Sequence, residues 1–123
     1  MQLPTQPRRN FKDHVPLTDL SFHVLLALGD GASFGYAIGK EVERRSGGRL
    51  NPTTGSLYQA LRRLHDEDLI AAAQQPKNEI VADSRRQYFQ LTPFGKRVFA
   101  FEAQRLEDLI AAAREKKLVP TRS

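Results

Sequence analysis

Apolar residues recur with a helical period in four stretches of the chain. Leu20, Val24, Leu25 and Leu28 share one face of a first helix, capped by Thr18 with Asp19 in its first turn and ended by Gly29 and Gly31. Ser33 stands where it can cap a second helix reaching about Arg45, with Ala37, Ile38, Glu41 and Val42 setting its faces and Gly47-Gly48 closing it. For the third helix, Asn51 reads as the N-cap and Pro52 as the first residue, since proline lacks the N–H that would go unpaired there. This helix is predicted to end near Glu67.

The pattern then changes. LIAAAQ from Leu69 and RQYFQL from Arg86 favour strands, Tyr88 and Phe89 being good strand formers, and the polar, proline-interrupted QPKNEIVADS between them predicts a hairpin with a long tip. Thr92 and Pro93 suit the cap and first residue of a last helix that runs to about Leu118, at roughly 25 residues longer than so small a domain needs. The order predicts a mostly α protein with a small β-hairpin wing: a winged helix-turn-helix over residues 17–91, a C-terminal helix over 92–118 and a tail over 119–123. Residues 1–16 hold three of the seven prolines and Arg8, Arg9 and Lys12 without an apolar period, so they read as a basic arm, mobile until something binds it.

A chain of 123 residues fits one such domain. The absence of cysteine excludes disulfides, thiolate nucleophiles and cysteine-ligated zinc, and fits a cytoplasmic setting. No apolar run is long enough to span a bilayer, and the N-terminus lacks the apolar core of a secretory signal. His14, His23 and His65 have no metal-ligand spacing, and neither a carboxylate pair, a phosphate loop nor a nucleophile motif is present. An enzyme, a metal and a cofactor are therefore not expected. The formal charge of +5 favours a polyanionic partner only mildly. Its placement says more, because the extra positives gather on the arm, at Arg62 and Arg63, around Arg85 and Arg86, and late in the chain.

The third helix is where this charge meets geometry. At about 100° per residue, Leu57, Leu61 and Leu64 form one stripe, while Gly55, Ser56, Gln59, Arg62 and Arg63 lie on or beside the opposite face. Tyr58 sits on the flank, and the small residues Thr53, Thr54, Gly55 and Ser56 let the helix start approach a surface closely, its N–H groups aimed at any phosphate. Glutamine for adenine, arginine for guanine and hydroxyls for phosphate are what reading a DNA major groove requires. A solvated outer face is the plain alternative on periodicity alone.

The segments FGYAI at 34–38, GSLYQALRRL at 55–64, DLI at 68–70 and RRQYFQLTPFGKR at 85–97 resemble, in order and spacing, the signatures of the PadR family of bacterial transcriptional regulators. The resemblance covers residues 17 to about 115. It implies a homodimeric winged-helix repressor of the small subfamily with a single C-terminal helix, binding double-stranded DNA at a pseudopalindromic operator. It makes the helix bearing Thr53, Thr54, Ser56, Tyr58, Gln59, Arg62 and Arg63 the recognition helix and puts Tyr36 near the DNA backbone. Lys77, Arg85 and Arg86 of the wing would meet phosphates or the minor groove, although the two arginines equally suit ordinary strand-end charges. Two departures stand out: Asp68 replaces a glycine usual at a left-handed position, and Phe34 replaces a frequent histidine before Gly35.

On the last helix, Phe94, Phe99, Val98, Phe101, Leu106, Leu109, Ile110 and Ala113 cover nearly half the circumference, too broad for a helix with one buried side. A copy of the same helix in a twofold dimer would cover the remainder, setting two recognition helices one DNA turn apart, the alternative being a helix folded back wholly onto its own domain. The resemblance further implies a small aromatic or drug-like effector between subunits, with plain core packing of these aromatics as the alternative. The rival function is a winged-helix protein–protein interaction module, for which an apolar or acidic outer face on the third helix would be the mark.

Overall fold

The computed structural model describes residues 10–77 and 85–120. Helices α1 (Asp19–Ala27), α2 (Gly35–Arg45) and α3 (Thr54–Asp66) precede strands β2 (Ile70–Ala73) and β3 (Tyr88–Leu91) and the long helix α4 (Pro93–Glu115). A two-residue strand β1 (Ser33–Phe34), which carries no period in the sequence, makes the wing a three-stranded antiparallel sheet in the order β1-β3-β2. Ser33 pairs with Phe89 and Phe34 with Tyr88, so Ser33 does not cap α2 as expected; Phe34 holds the cap position without a side-chain bond. β2 pairs with β3 from Ile70↔Leu91 to Ala73↔Tyr88.

The core lies where α1, α2, α3 and the first turns of α4 meet the base of the sheet. Val24 and Leu25 of α1, Ile38 and Val42 of α2, Leu57, Leu61 and Leu64 of α3, and Leu69, Ile70, Phe94 and Val98 form one buried cluster. Burying each such side chain contributes about 1.5–3 kcal/mol, so the three leucines of α3 alone fix that helix firmly on the domain.

The starts of α1, α3 and α4 follow side-chain capping. Thr18 accepts from Ser21 N at 3.0 Å, as the sequence suggests. The α3 cap is Thr53 rather than Asn51: its Oγ1 accepts from Ser56 N at 3.1 Å, which leaves Pro52 ahead of the helix. Thr92 caps α4, accepting from Gly95 N at 2.8 Å with Pro93 next, as expected.

Helix ends share a device. Gly47, Asp68 and Lys117 all have positive φ just beyond α2, α3 and α4. After each, an amide reaches back five residues: Gly48 N to Glu43 O at 2.8 Å, Leu69 N to Leu64 O at 2.9 Å and Leu118 N to Ala113 O at 2.9 Å. Asp68, at φ 63, occupies the left-handed site that the sequence marked. The α4 start is then knitted to this turn, because Thr92 Oγ1 donates to Asp68 O at 2.6 Å and Thr92 N donates to Leu69 O at 3.1 Å. Gly95 packs so tightly on the Leu69 backbone that a Cβ there would collide with the Leu69 carbonyl.

Residues 10–16 of the expected arm are not free. Phe11–His14 form a 3₁₀ turn, and the segment to Leu17 straps the domain. Phe11 packs on Phe94 and Phe101, at ring centroid distances of 5.8 and 6.3 Å, while the His14 ring meets Phe94 edge-on. His14 Nδ1 lies 3.0 Å from Glu67 Oε1, and Leu17 N donates to Glu102 Oε2 at 2.8 Å. Isolated apolar residues such as Phe11 have no period to reveal them; tertiary contacts hold this strap. Arg8 and Arg9 lie outside the described residues.

The α4 side chains divide in two. Phe94, Val98 and Glu102 are buried in the protomer, and Phe101 is half-buried beneath Phe11. Phe94 and Val98 thus belong to the protomer's own core, correcting their placement in a partner-facing stripe: one turn apart at i and i+4, they are the residues that seat α4 on the domain. Phe99 is half-buried against Phe22, ring centroids 4.6 Å apart. Beyond Glu102 the helix leaves the core, with Leu106, Leu109 and Ile110 exposed and Ala113 half-buried.

Candidate nucleic-acid interface

The α3 helix separates its two jobs cleanly. Leu57, Ala60, Leu61 and Leu64 face the core, while Thr54, Gly55, Ser56, Tyr58, Gln59, Arg62 and Arg63 are exposed. No carboxylate occurs from Thr54 to His65, so this surface repels no phosphate. Gly39 of α2 permits a close crossing, since a Cβ there would lie 3.3 Å from Leu57 Cδ2.

Thr53 and Ser56 are engaged with the helix start itself. Thr53 Oγ1 donates to Ser56 Oγ at 3.1 Å, and Ser56 Oγ donates to the Thr53 carbonyl at 3.2 Å. Their hydroxyls hold the first turn rigid, leaving Thr54, Gln59 and Arg62 as the polar groups best placed to reach outward.

Three grooves meet beside this face. One is lined by Tyr36, Lys40, Asn51, Thr54 and Tyr58; a second by Tyr58, Arg62, His65, Gln87 and Phe89; a third by Phe34, Tyr36, Tyr58, Arg85 and Arg86. Tyr36 is exposed, with Lys40 Nζ 5.6 Å from its ring centroid. Arg86 is half-buried, its guanidinium 4.2 Å from the Phe34 ring, and Phe34 in turn packs on Tyr88. Such stacking fixes the Arg86 side chain at the wing base. Arg85 is exposed beside it, and Lys77 is exposed at the far end of the wing; residues 78–84 of the predicted hairpin tip lie outside the described residues.

The structure therefore gathers Tyr36, Thr54, Tyr58, Arg62, Arg85 and Arg86 around adjoining grooves. Arg63 is placed differently, bordering the hollow formed by the strap with Asp13, His14 and Glu67. That follows from its position, one residue and about 100° beyond Arg62. Lys40, His65 and Gln87 also line the grooves, though in the sequence each has the pattern of ordinary surface; only the packing of α2 and β3 against α3 brings them together. Glu43 also lines the first groove and partly offsets Lys40. Among the described residues, no three His, Asp or Glu side chains cluster as a metal site requires, and no helix is long and apolar enough to cross a membrane.

Three helices, a three-stranded wing and an exposed, carboxylate-free third helix define a winged helix-turn-helix protein. The family model described as the transcriptional regulator PadR-like family matches residues 24–101, well over half of the chain, and the protein belongs to that family. That family is one of transcriptional regulators. Over 91 residues the chain is 38% identical to an uncharacterised 37.1 kDa protein of transposon TN4556 from Streptomyces fradiae, a match covering 74% of this chain and 24% of that protein. The chain thus spans about a quarter of that relative's length. A PadR-like transcription factor from Bacteroides fragilis has the same fold, with a TM-score of 0.64 at 22% identity, covering 87% of this chain and 98% of the other. The Bacillus subtilis PadR crystallised with operator DNA gives a TM-score of 0.52 at 22% identity over 66% of this chain and 44% of its own.

Proposed function

We propose that the protein is a sequence-specific DNA-binding transcriptional regulator of the cytoplasm that acts as a homodimeric repressor on a pseudopalindromic operator. The observation that carries this reading is the outer face of α3: exposed Thr54, Gln59 and Arg62, free of carboxylates from Thr54 to His65, with Arg85 and Arg86 alongside on the wing. In this reading Gln59 and Arg62 read base edges in the major groove, while Tyr36, Lys77, Arg85 and Arg86 position the domain on phosphates. The same face argues against a protein–protein module, since it is neither apolar nor acidic.

The dimer reading rests on Leu106, Leu109 and Ile110, which α4 leaves exposed beyond the protomer, continued by Ala113 and joined to the domain by Phe99. A second copy of α4 covers this stripe under twofold symmetry and sets two α3 helices on successive major grooves. An aromatic effector enters this scheme beside the Phe22–Phe99 pair, at the edge of the stripe. The test selects duplexes from random-sequence DNA with the purified protein and measures binding of the recovered duplex. A Gln59→Ala, Arg62→Ala variant is expected to lose at least about thirtyfold in affinity for it, in line with about 1–3 kcal/mol per base-reading side chain. Unchanged binding by the double variant, or recovery of no preferred sequence, would refute the assignment.

A further inference from the structure

Gly35 opens α2 and is buried, yet its backbone does not require glycine, for its φ is not among the positive ones. What requires it is space. A Cβ at this position would lie 2.6 Å from Tyr58 Oη, 2.9 Å from Cζ and 3.3 Å from Cε2, closer than side chains tolerate. The tip of the Tyr58 ring fills the place where a side chain on residue 35 would stand.

That ring is also the common wall of all three grooves. It borders Lys40 and Thr54 in the first, Arg62 and Gln87 in the second, and Arg85 and Arg86 in the third. Each groove thus pairs the phenol with at least one cation. Tyr58 remains 44% exposed, and among the described residues its hydroxyl has no hydrogen-bond partner. A ridge that ends in an uncommitted hydroxyl and has cations in the hollows on its sides matches a sugar–phosphate strand, whose charged phosphates alternate with apolar sugars.

We propose that Gly35 is a positioning residue: it seats the Tyr58 phenol as the ridge that engages a single DNA strand between α3 and the wing. This rests on the DNA-binding reading. Because a tyrosine held in one place loses little freedom on binding, the glycine contributes to affinity without touching DNA. A methyl group at residue 35 meets the far end of a side chain, not backbone, so the ring swings aside and the fold is kept.

The test is a thermodynamic cycle on the full chain, using the duplex selected on the wild-type protein and fluorescence anisotropy. Gly35→Ala and Tyr58→Phe are each expected to weaken binding on the order of tenfold, the loss of one hydrogen bond to a charged group. In a Tyr58→Ala background, Gly35→Ala should change affinity by less than about twofold, because its effect passes through the ring. NMR of ¹³C-labelled tyrosine should show the Tyr58 ring signal moving in Gly35→Ala. Wild-type affinity in Gly35→Ala, an undiminished loss in the Tyr58→Ala background, or an unmoved Tyr58 signal overturns the proposal. So does a folding failure in Gly35→Ala that Tyr58→Ala does not rescue. A wild-type protein that retains no duplex at all overturns the DNA reading and this inference together, whereas binding by the wild type with Gly35→Ala unaffected overturns only the positioning role.

Discussion

Glu102 is 1% exposed, yet it is charged and carries three bonds: it accepts from Leu17 N at 2.8 Å and from Arg105 Nε and Nη2 at 2.6 and 3.1 Å. Replacing it with alanine leaves the Leu17 amide without its acceptor and removes a charge-assisted hydrogen bond, worth about 1.5–3 kcal/mol. The Arg105 end counts for less, because that guanidinium is 38% exposed and turns to water. Glu102→Ala should therefore lower stability by about 3 kcal/mol and the melting temperature on the order of 10 °C at equal protein concentration. Acid dependence gives a second reading. The Arg105 hydrogen bond, aided by the Leu17 amide and opposed by burial, holds the Glu102 carboxyl below the ordinary glutamate range. The folded state then binds fewer protons than the unfolded one in the acid window, so the contribution is complete above the ordinary glutamate range and is lost as pH falls through the depressed folded value. Urea unfolding from pH 7 to pH 3 should show this acid limb in the wild type and a flatter one in Glu102→Ala. Amide exchange should speed up at Leu17 first. A variant within about 1 kcal/mol of the wild type, or one that keeps the full acid limb, would show that the strap is not held by this carboxylate.

Gly95→Ala should cost more than about 3 kcal/mol in urea unfolding, since the added Cβ meets the Leu69 backbone, whereas Gly39→Ala, facing only a flexible leucine end, should cost less than about 1 kcal/mol; equal costs would contradict the packing. At residue 68, φ is positive, so the Asp68→Gly protein should be more stable than Asp68→Ala by about 1 kcal/mol, a comparison in which neither variant has the carboxylate. Leu109→Glu combined with Ile110→Glu should convert the expected dimer to monomers in sedimentation velocity while leaving the melting of the winged domain cooperative; a wild-type protein that sediments as a monomer would remove the dimer reading.

The sequence already displayed what repeats locally. Leu57, Leu61 and Leu64 announce the buried side of α3, and Thr92-Pro93 announces the start of α4, because capping and helical period act within one turn. The cap of α3 lies two residues beyond Asn51 because Asn51, Thr53 and Thr54 are all competent caps, and the reciprocal Thr53–Ser56 pair decides among them. Long-range features were hidden. β1 has two residues and exists through Phe89 and Tyr88, more than fifty positions away; Phe11 reads as arm until Phe94 and Phe101 are beside it; and Glu102 reads as a polar break in an apolar stripe. Among candidate interface residues, those on α3 were legible from the wheel. Lys40, His65 and Gln87 were not, since their role depends on grooves between elements.

The strap has a mechanical consequence. It is tied at one end to Glu67, just after α3, and at the other to Glu102, where α4 leaves the core, with only Val15 and Pro16 between His14 and Leu17. So short a tether has no slack, and α4 cannot pivot against α3 without breaking one of its ends. The stretch from Glu102 to Glu115, about 20 Å of helix, therefore works as a rigid handle on the whole domain. In the proposed dimer, any change in how two such handles cross would alter the distance and angle between two domains while leaving each one's shape intact. Control of this protein would act as a calliper, set by the gap between its jaws.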